Sequence, residues 1–306
     1  MRLACPVRFA FGFLLSVTLA LSFAKQAWAQ LPADQPKESS ARGQVEQLIQ
    51  QTGAQVAVAF RSLDSSQELF LHADEPFPAA PATIQVPIMI ELYHEAQAGT
   101  LHLSDTVLVH NAFHSLVDDA TYQLNPQNDP DQSLYTLIGK PLTLQDLCDR
   151  MVARNSTLAA DLLIKKLGVA RIRQRIDALH ANGMELFRGL EPSRPSDAKP
   201  ENATSARAML ELLWTLAKGQ EADDDSSKQM IGMIARAALQ HAPTAGMPSD
   251  PRVAQTVGLA GTGQQAMIVE GPHPFVIVIL VRGIANPETS AELMAQIMHA
   301  LAAAIT

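Results

Sequence analysis

The chain has 306 residues and a formal net charge of −8, with 47% of its residues apolar and 18% charged. That balance is globular and excludes both a disordered tail and a fibrous repeat. The acidic excess argues against nucleic acid or an anionic membrane as a partner.

Arg2 and Arg8 precede an apolar run over residues 9–24, and Ala27-Trp28-Ala29 offers a small-x-small cleavage site, so residues 1–29 read as a secretory signal peptide. The run is too short and poorly flanked for a membrane span, and no later segment reaches the roughly 18–20 uncharged apolar residues a span needs. Removal of Arg2, Arg8 and Lys25 with the signal deepens the net charge to about −11. The mature protein is expected in the periplasm or outside the cell. Cys5 leaves with the signal and Cys148 alone survives, which excludes an internal disulfide despite an oxidising destination.

Residues 30–41 are polar and proline-bearing and read as a flexible leader, with the fold starting at Arg42. Val45, Leu48 and Ile49 recur at helical spacing and Gly53 supplies a stop, which predicts a helix over 42–52. Two strand-like runs, 55–61 and 67–72, flank the turn-prone Leu63-Asp64-Ser65-Ser66 as an antiparallel hairpin. Helical spacing then dominates over 84–97, 144–154, 158–167, 170–179 and 205–217, with Gly168 and Gly219 placed as C-terminal caps. Cys148 shares an apolar stripe with Leu144, Leu147 and Met151 and reads as a buried small hydrophobe. Residues 221–225 read as a solvated acidic loop ahead of a helix that buries Met230, Met233 and Ile234. Strand character returns at 252–258, 266–270 and 275–282, and a last helix covers 288–304. This order predicts an α/β (α+β) fold. A five-stranded antiparallel sheet is flanked by the N- and C-terminal helices, with an all-helical lobe beside it. The domain then spans 42–306, as a sheet lobe of 42–81 and 240–306 and a helical lobe of 82–239, with a cleft between them.

The segments Phe77-Pro78-Ala79-Ala80 and Val86-Pro87-Ile88-Met89-Ile90-Glu91-Leu92-Tyr93, with 111–118, 151–168, Arg188-Gly189-Leu190-Glu191 and Thr204-Ser205-Ala206-Arg207, run through most of the mature chain. On these segments and the element order, the chain resembles the serine β-lactamase and penicillin-binding superfamily, toward its class A branch. The resemblance implies a serine hydrolase fold acting on β-lactams or related cell-wall peptides, without cofactor or metal, through three motifs that line the cleft.

Each motif is substituted here. In the family a Ser-x-x-Lys opens a buried helix, so that one turn brings the amine beside the hydroxyl. Anchored on Val86-Pro87, the serine position falls on Ala82 and the lysine position on Gln85; counted from Phe77, the serine falls on Pro81. Neither register supplies a nucleophile. The Ser-Asp-Asn motif falls on Asn155-Ser156-Thr157, and Lys-Thr-Gly on Thr256-Val257-Gly258, where only the glycine is kept. Glu191 is the one acid that could correspond to the family's water-activating glutamate, but its loop departs from the Glu-Pro-x-Leu-Asn pattern, and a surface or structural loop carboxylate is the other reading. Thr83 is the hydroxyl nearest the vacant position, and Ser115 and Ser156 are further candidates.

Other strings read plainly. Ser196-Asp197-Ala198-Lys199 is bracketed by Pro195 and Pro200, which deny it a helical turn. His110 and His114 sit in an extended segment and a loop rather than on one helix face, and Glu91, His94 and Glu95 read as a solvated patch. The expectation is an exported, catalytically degenerate member of the superfamily acting as a binding or scaffolding module. The alternative is a hydrolase opening β-lactam rings with non-standard residues. The cleft occupant is a β-lactam or a cell-wall peptide, and the sequence assigns no oligomeric state.

Overall fold

A computed structural model describes residues 35–191, 201–220, 223–241, 255–261 and 263–305. The expected signal peptide and the Ser196–Lys199 string lie outside the described residues.

The chain opens with α1 (Gln35–Thr52), β1 (Gln55–Ser62), β2 (Glu68–Leu71) and β3 (Phe77–Pro78). Then come α2 (Pro81–Gln97), β4 (Thr106–Leu108), β5 (Phe113–His114), β6 (Thr121–Tyr122), two 3-10 turns (Pro126–Asn128 and Gln132–Leu137) and β7 (Pro141–Thr143). Four helical elements and one short strand follow: α3 (Leu144–Ala153), α4 (Thr157–Leu167), α5 (Val169–Ala178), β8 (Ala203–Thr204) and α6 (Ala206–Ala217). The chain closes with α7 (Asp224–His241), β9 (Gln255–Gly261), β10 (Gln264–Glu270), β11 (Phe275–Arg282) and α8 (Pro287–Ile305).

β1, β2, β9, β10 and β11 form one antiparallel sheet in the order β2-β1-β11-β10-β9. The period-2 alternation of strand side chains splits its apolar residues between two cores. Val56, Val58 and Phe60 of β1, with Ile277 and Ile279 of β11, face one side and pack with Val45 of α1 and Leu293, Met294, Ile297 and Met298 of α8. Ala57 and Ala59, with Val276, Val278 and Leu280, face the other side and join the core of the helical region. Burial on both faces is why β1 and β11 read as unbroken apolar runs rather than alternating ones.

α1 begins inside the segment expected to be a flexible leader, which is a correction. Ala41 is buried against the α8 side of the sheet, so packing extends the helix back through a stretch whose polar composition hides it. α2 is apolar nearly all round and is buried from Ala82 to Tyr93, as expected of a helix enclosed by others. Pro81 occupies its first turn, where a missing N–H costs nothing. Glu91 and its neighbours correct the reading of a solvated patch. Glu91 is buried and accepts from Arg175 Nε of α5 at 3.1 Å, and Glu95 accepts from Arg171 at 2.8 Å. Burial pushes the Glu91 carboxyl upward, and the Arg175 guanidinium opposes that. The acidic loop is also shorter than expected, because Asp224 and Asp225 already belong to α7. Cys148 is fully buried, and burial raises its thiol. No helix among the described residues is long and apolar enough to cross a membrane.

Candidate active site

The N-terminus of α2 is uncapped by any side chain. Ala80 is the N-cap in extended conformation, and its N–H donates to Gln264 Oε1 of β10 at 3.2 Å while Gln264 Nε2 donates to the Pro78 carbonyl at 2.6 Å. One amide side chain therefore ties the entry of α2 to the sheet. Ala82, in the first turn, contributes a methyl group. The Thr83 hydroxyl donates to the Ala80 carbonyl at 2.6 Å, a local bond within the helix start. That proton is already committed to a backbone carbonyl.

One turn along, Gln85 is 1% exposed and its Nε2 donates to Asn155 Oδ1 at 2.7 Å. The fold thus brings together, as two amides, Gln85 and Asn155, the residues that the resemblance aligns with the lysine of the first motif and the serine of the second. Asn155 sits at φ +56°, a left-handed conformation that asparagine tolerates better than most residues. Ser156 is the N-cap of α4 and accepts from the Ala159 N–H at 3.3 Å. It also donates to Asp129 Oδ2 at 3.4 Å, and Thr157 donates to the same oxygen at 2.8 Å. Both hydroxyls are therefore engaged at the start of α4, Ser156 as its cap and Thr157 as a donor to Asp129.

Asp129 is the residue that sequence reasoning missed. It is buried, and its Oδ2 also accepts from the Leu158 N–H at 2.9 Å and from Tyr135 Oη at 3.1 Å, while Oδ1 accepts from the Asp131 N–H at 2.9 Å. It lies between two 3-10 turns, far in sequence from the helix it caps, so no local pattern marks it. Beside it, Asp131 pairs with Arg150 at 2.5 Å and holds the loop on α3.

A second cluster forms between β5–β6, α4 and residues 188–191. The Ser115 hydroxyl donates to Glu191 Oε1 at 3.0 Å, and Arg188 Nε donates to the same oxygen at 3.2 Å. The Glu191 side chain is 1% exposed. Asp161 of α4 accepts from the Leu190 N–H at 2.7 Å and from Tyr122 Oη at 2.8 Å. Burial pushes its carboxyl up to about 7; the Leu190 and Tyr122 hydrogen bonds oppose this, and the charges of Glu191 and Asp129 add to it. Burial and the neighbouring Asp161 charge raise the Tyr122 phenol. The 188–191 segment is clamped from behind by Asn202, whose Oδ1 accepts from the N–H groups of Phe187 and Arg188 at 2.8 and 3.0 Å.

Thr256, Val257 and Gly258 lie on β9, the edge strand, opposite Val269, Ile268 and Met267 of β10, and α2 packs beside this strand. His114 pairs with Asp119, and His110 faces Lys165 Nζ at 3.3 Å, so the two histidines have separate partners. Among the described residues no group of three His, Cys, Asp or Glu side chains is placed to hold a metal ion.

The family described as the β-lactamase enzyme family matches residues 40–305, nearly the whole described fold. The chain belongs to that family. A curated β-lactamase of Rhodobacter capsulatus is 25% identical to this β-lactamase-family protein over 237 residues, 74% of each chain. Among solved structures, a β-lactamase of Xanthomonas campestris pv. campestris str. ATCC 33913 superposes with a TM-score of 0.70 at 15% identity, covering 88% of this chain and 99% of that one. A β-lactamase of Sphaerobacter thermophilus DSM 20745 gives 0.67 at 20% identity, covering 87% and 97%. At these identities the structures establish the shared fold, so the expected serine β-lactamase and penicillin-binding architecture is borne out for this family member.

Proposed function

We propose that this β-lactamase-family protein is an exported, catalytically degenerate member that binds in its cleft without reacting. The observation that carries this reading is the start of α2. A methyl stands at Ala82, the adjacent Thr83 hydroxyl is spent on the Ala80 carbonyl, and Gln85 is bonded to Asn155. An alkyl group cannot attack a carbonyl, and a carboxamide cannot take a proton at neutral pH. The positions at Gln85 and Thr256 also lack the cations that would attract a substrate carboxylate, which weakens non-covalent capture of a β-lactam. Cleavage after Ala29 would place the mature protein in the periplasm or outside the cell.

The test is direct. Purified mature protein mixed with a labelled penicillin is expected to show no stoichiometric mass increase, and a chromogenic cephalosporin is expected to turn over at the rate of the buffer blank. Acylation mapped to any side chain overturns the reading.

One observation favours a second reading, in which the protein opens β-lactam rings with other residues. The Ser115 hydroxyl already donates to a carboxylate, so Glu191 could accept its proton as the oxygen attacks the lactam carbonyl, and the proton would return to the ring nitrogen as the C–N bond breaks. Against it, Ser115 is 5% exposed and Glu191 is held by Arg188. Turnover lost in Ser115→Ala but kept in Thr83→Ala and Ser156→Ala would establish this alternative.

A further inference from the structure

The chain has seven asparagines, at 111, 125, 128, 155, 182, 202 and 286, and only Asn182 precedes a glycine. The structure separates it from the rest by the backbone amide that follows. Asn125 and Asn286 are followed by prolines, which carry no N–H. After Asn111, the Ala112 N–H donates to His110 Nδ1 at 3.5 Å. The Asp129, Ser156 and Ala203 N–H groups, after Asn128, Asn155 and Asn202, donate to the carbonyls of Pro126, Arg150 and Glu185 at 3.4, 3.1 and 3.0 Å. Of these amides only the Gly183 N–H, after Asn182, has no acceptor among the described residues, and the Asn182 side chain has no partner there either.

Asn182 and Gly183 form the exposed middle of a turn that follows α5. The buried residues Ala181 and Met184 hold its ends, with the Met184 N–H donating to the Ala181 carbonyl at 3.0 Å. Gly183 sits at φ +99°, the glycine-favouring third position of such a turn. A Cβ there would also come within 2.7 Å of Oγ of Ser205, the N-cap of α6. Backbone conformation and packing therefore both demand glycine at 183, and an unhindered amide beside Asn182 comes with it.

We propose that Asn182 is a site of spontaneous covalent modification, converting through a cyclic imide to aspartate and isoaspartate. This goes beyond the proposed function, because it does not depend on whether the cleft reacts. Hydroxide takes the Gly183 amide proton, and the nitrogen attacks Asn182 Cγ. The N–Cγ bond forms, the Cγ–Nδ2 bond breaks, and the side-chain nitrogen takes a proton from water and leaves as ammonia. No hydrogen bond of the turn has to break first, since Met184 and Ala181 close it rather than Gly183. Water then opens the imide. Cleavage of the new N–Cγ bond gives aspartate on the original backbone. Cleavage of the bond to the backbone carbonyl carbon gives isoaspartate, whose chain runs through Cβ and Cγ and is one carbon longer. The longer chain presses on the close approach of Gly183 to Ser205, whose Oγ accepts from the Ala208 N–H at 3.1 Å. Isoaspartate at 182 therefore loosens the start of α6, whereas aspartate adds only a charge.

The test incubates the mature protein at pH 8.5 and 37 °C beside a synthetic peptide of residues 179–186 and follows both by peptide-mapping mass spectrometry. The fragment holding Asn182 is expected to convert alongside the free peptide, gaining about 1 Da in ordinary water and about 3 Da in water enriched in oxygen-18. Fragments holding the other six asparagines are expected to keep their mass. Asn182→Ser is expected to abolish the gain. Asn182→Asp is expected to match fresh wild type in thermal unfolding, while aged wild type rich in isoaspartate unfolds at a lower temperature. Asn182 left intact in the protein after the free peptide has converted overturns the proposal, as does earlier conversion of any other asparagine. Equal unfolding of aged and fresh protein, with isoaspartate present, overturns the effect on α6.

Discussion

Asp161 makes a stability claim. A carboxyl that titrates about 7 when folded and near 3.8 when unfolded binds its proton more tightly in the native state. The stability this supplies is complete below the unfolded value, is lost as pH rises from about 4 to about 7, and stays lost above that. Asp161→Asn keeps the shape, accepts from Leu190 and donates to Tyr122, but cannot ionise. The variant is therefore expected to match the wild type in urea titrations at pH 4. At pH 8 it should exceed the wild type by an amount on the order of 2–4 kcal/mol. Asp161 stands on an apolar helix as an ordinary polar interruption, and its sequence neighbours carry no sign of the backbone that covers it. Ser115 and Glu191 were both nameable as candidates from residue type and family position. That they share a 3.0 Å hydrogen bond follows from the loop packing that joins residues 76 apart.

Helices and strands were the most legible level. α3, α4, α5 and α6 appear within a residue or so of their expected limits because each buries a stripe at three-to-four spacing. Their caps are visible as well, with Thr143 accepting from Asp146, Ser156 from Ala159 and Ser205 from Ala208. Caps supplied from a distance are not. Asp129 satisfies the Leu158 N–H together with the hydroxyls of Thr157 and Tyr135, and so fixes the loop after β6 to the start of α4. Asp129→Ala is expected to cost about 3 kcal/mol or more in chemical denaturation, because it combines a lost cap with orphaned buried donors. Asp129→Asn, which keeps an acceptor, is expected to cost less. The short pairs β3–β8, β4–β7 and β5–β6 were unreadable for a related reason. Two or three residues show no periodicity, and each pair is stabilised only by the partner that tertiary folding brings.

The two cores give the molecule its layered order: α1 and α8, then the sheet, then the helices carrying the site. Ile297 is completely buried on the α8 side, separated by the sheet from α2. Ile297→Ala is expected to destabilise the fold by about 2–5 kcal/mol, measured by thermal or chemical unfolding. The converse holds for α1, whose first turns looked like leader. A helix of weak intrinsic preference persists where Ala41 and Val45 are buried on the sheet, a gain that appears only once the C-terminal helix has returned to the same face.

Periodic burial and residue chemistry are local properties, and they were sufficient to establish the architecture and the family likeness; the reading of Ala82 at the position of an attacking hydroxyl comes from the same local patterns and belongs to the proposal. Interactions between distant segments are not local. The bond from Gln85 to Asn155, the capping by Asp129 and the closure of Leu190 over Asp161 each join groups that are tens of residues apart, with lengths set by backbones fixed through hydrophobic packing elsewhere. A hydrogen bond needs its partners placed to within a few tenths of an ångström. Patterns along a chain choose helices and strands, but only the packed layers set such distances.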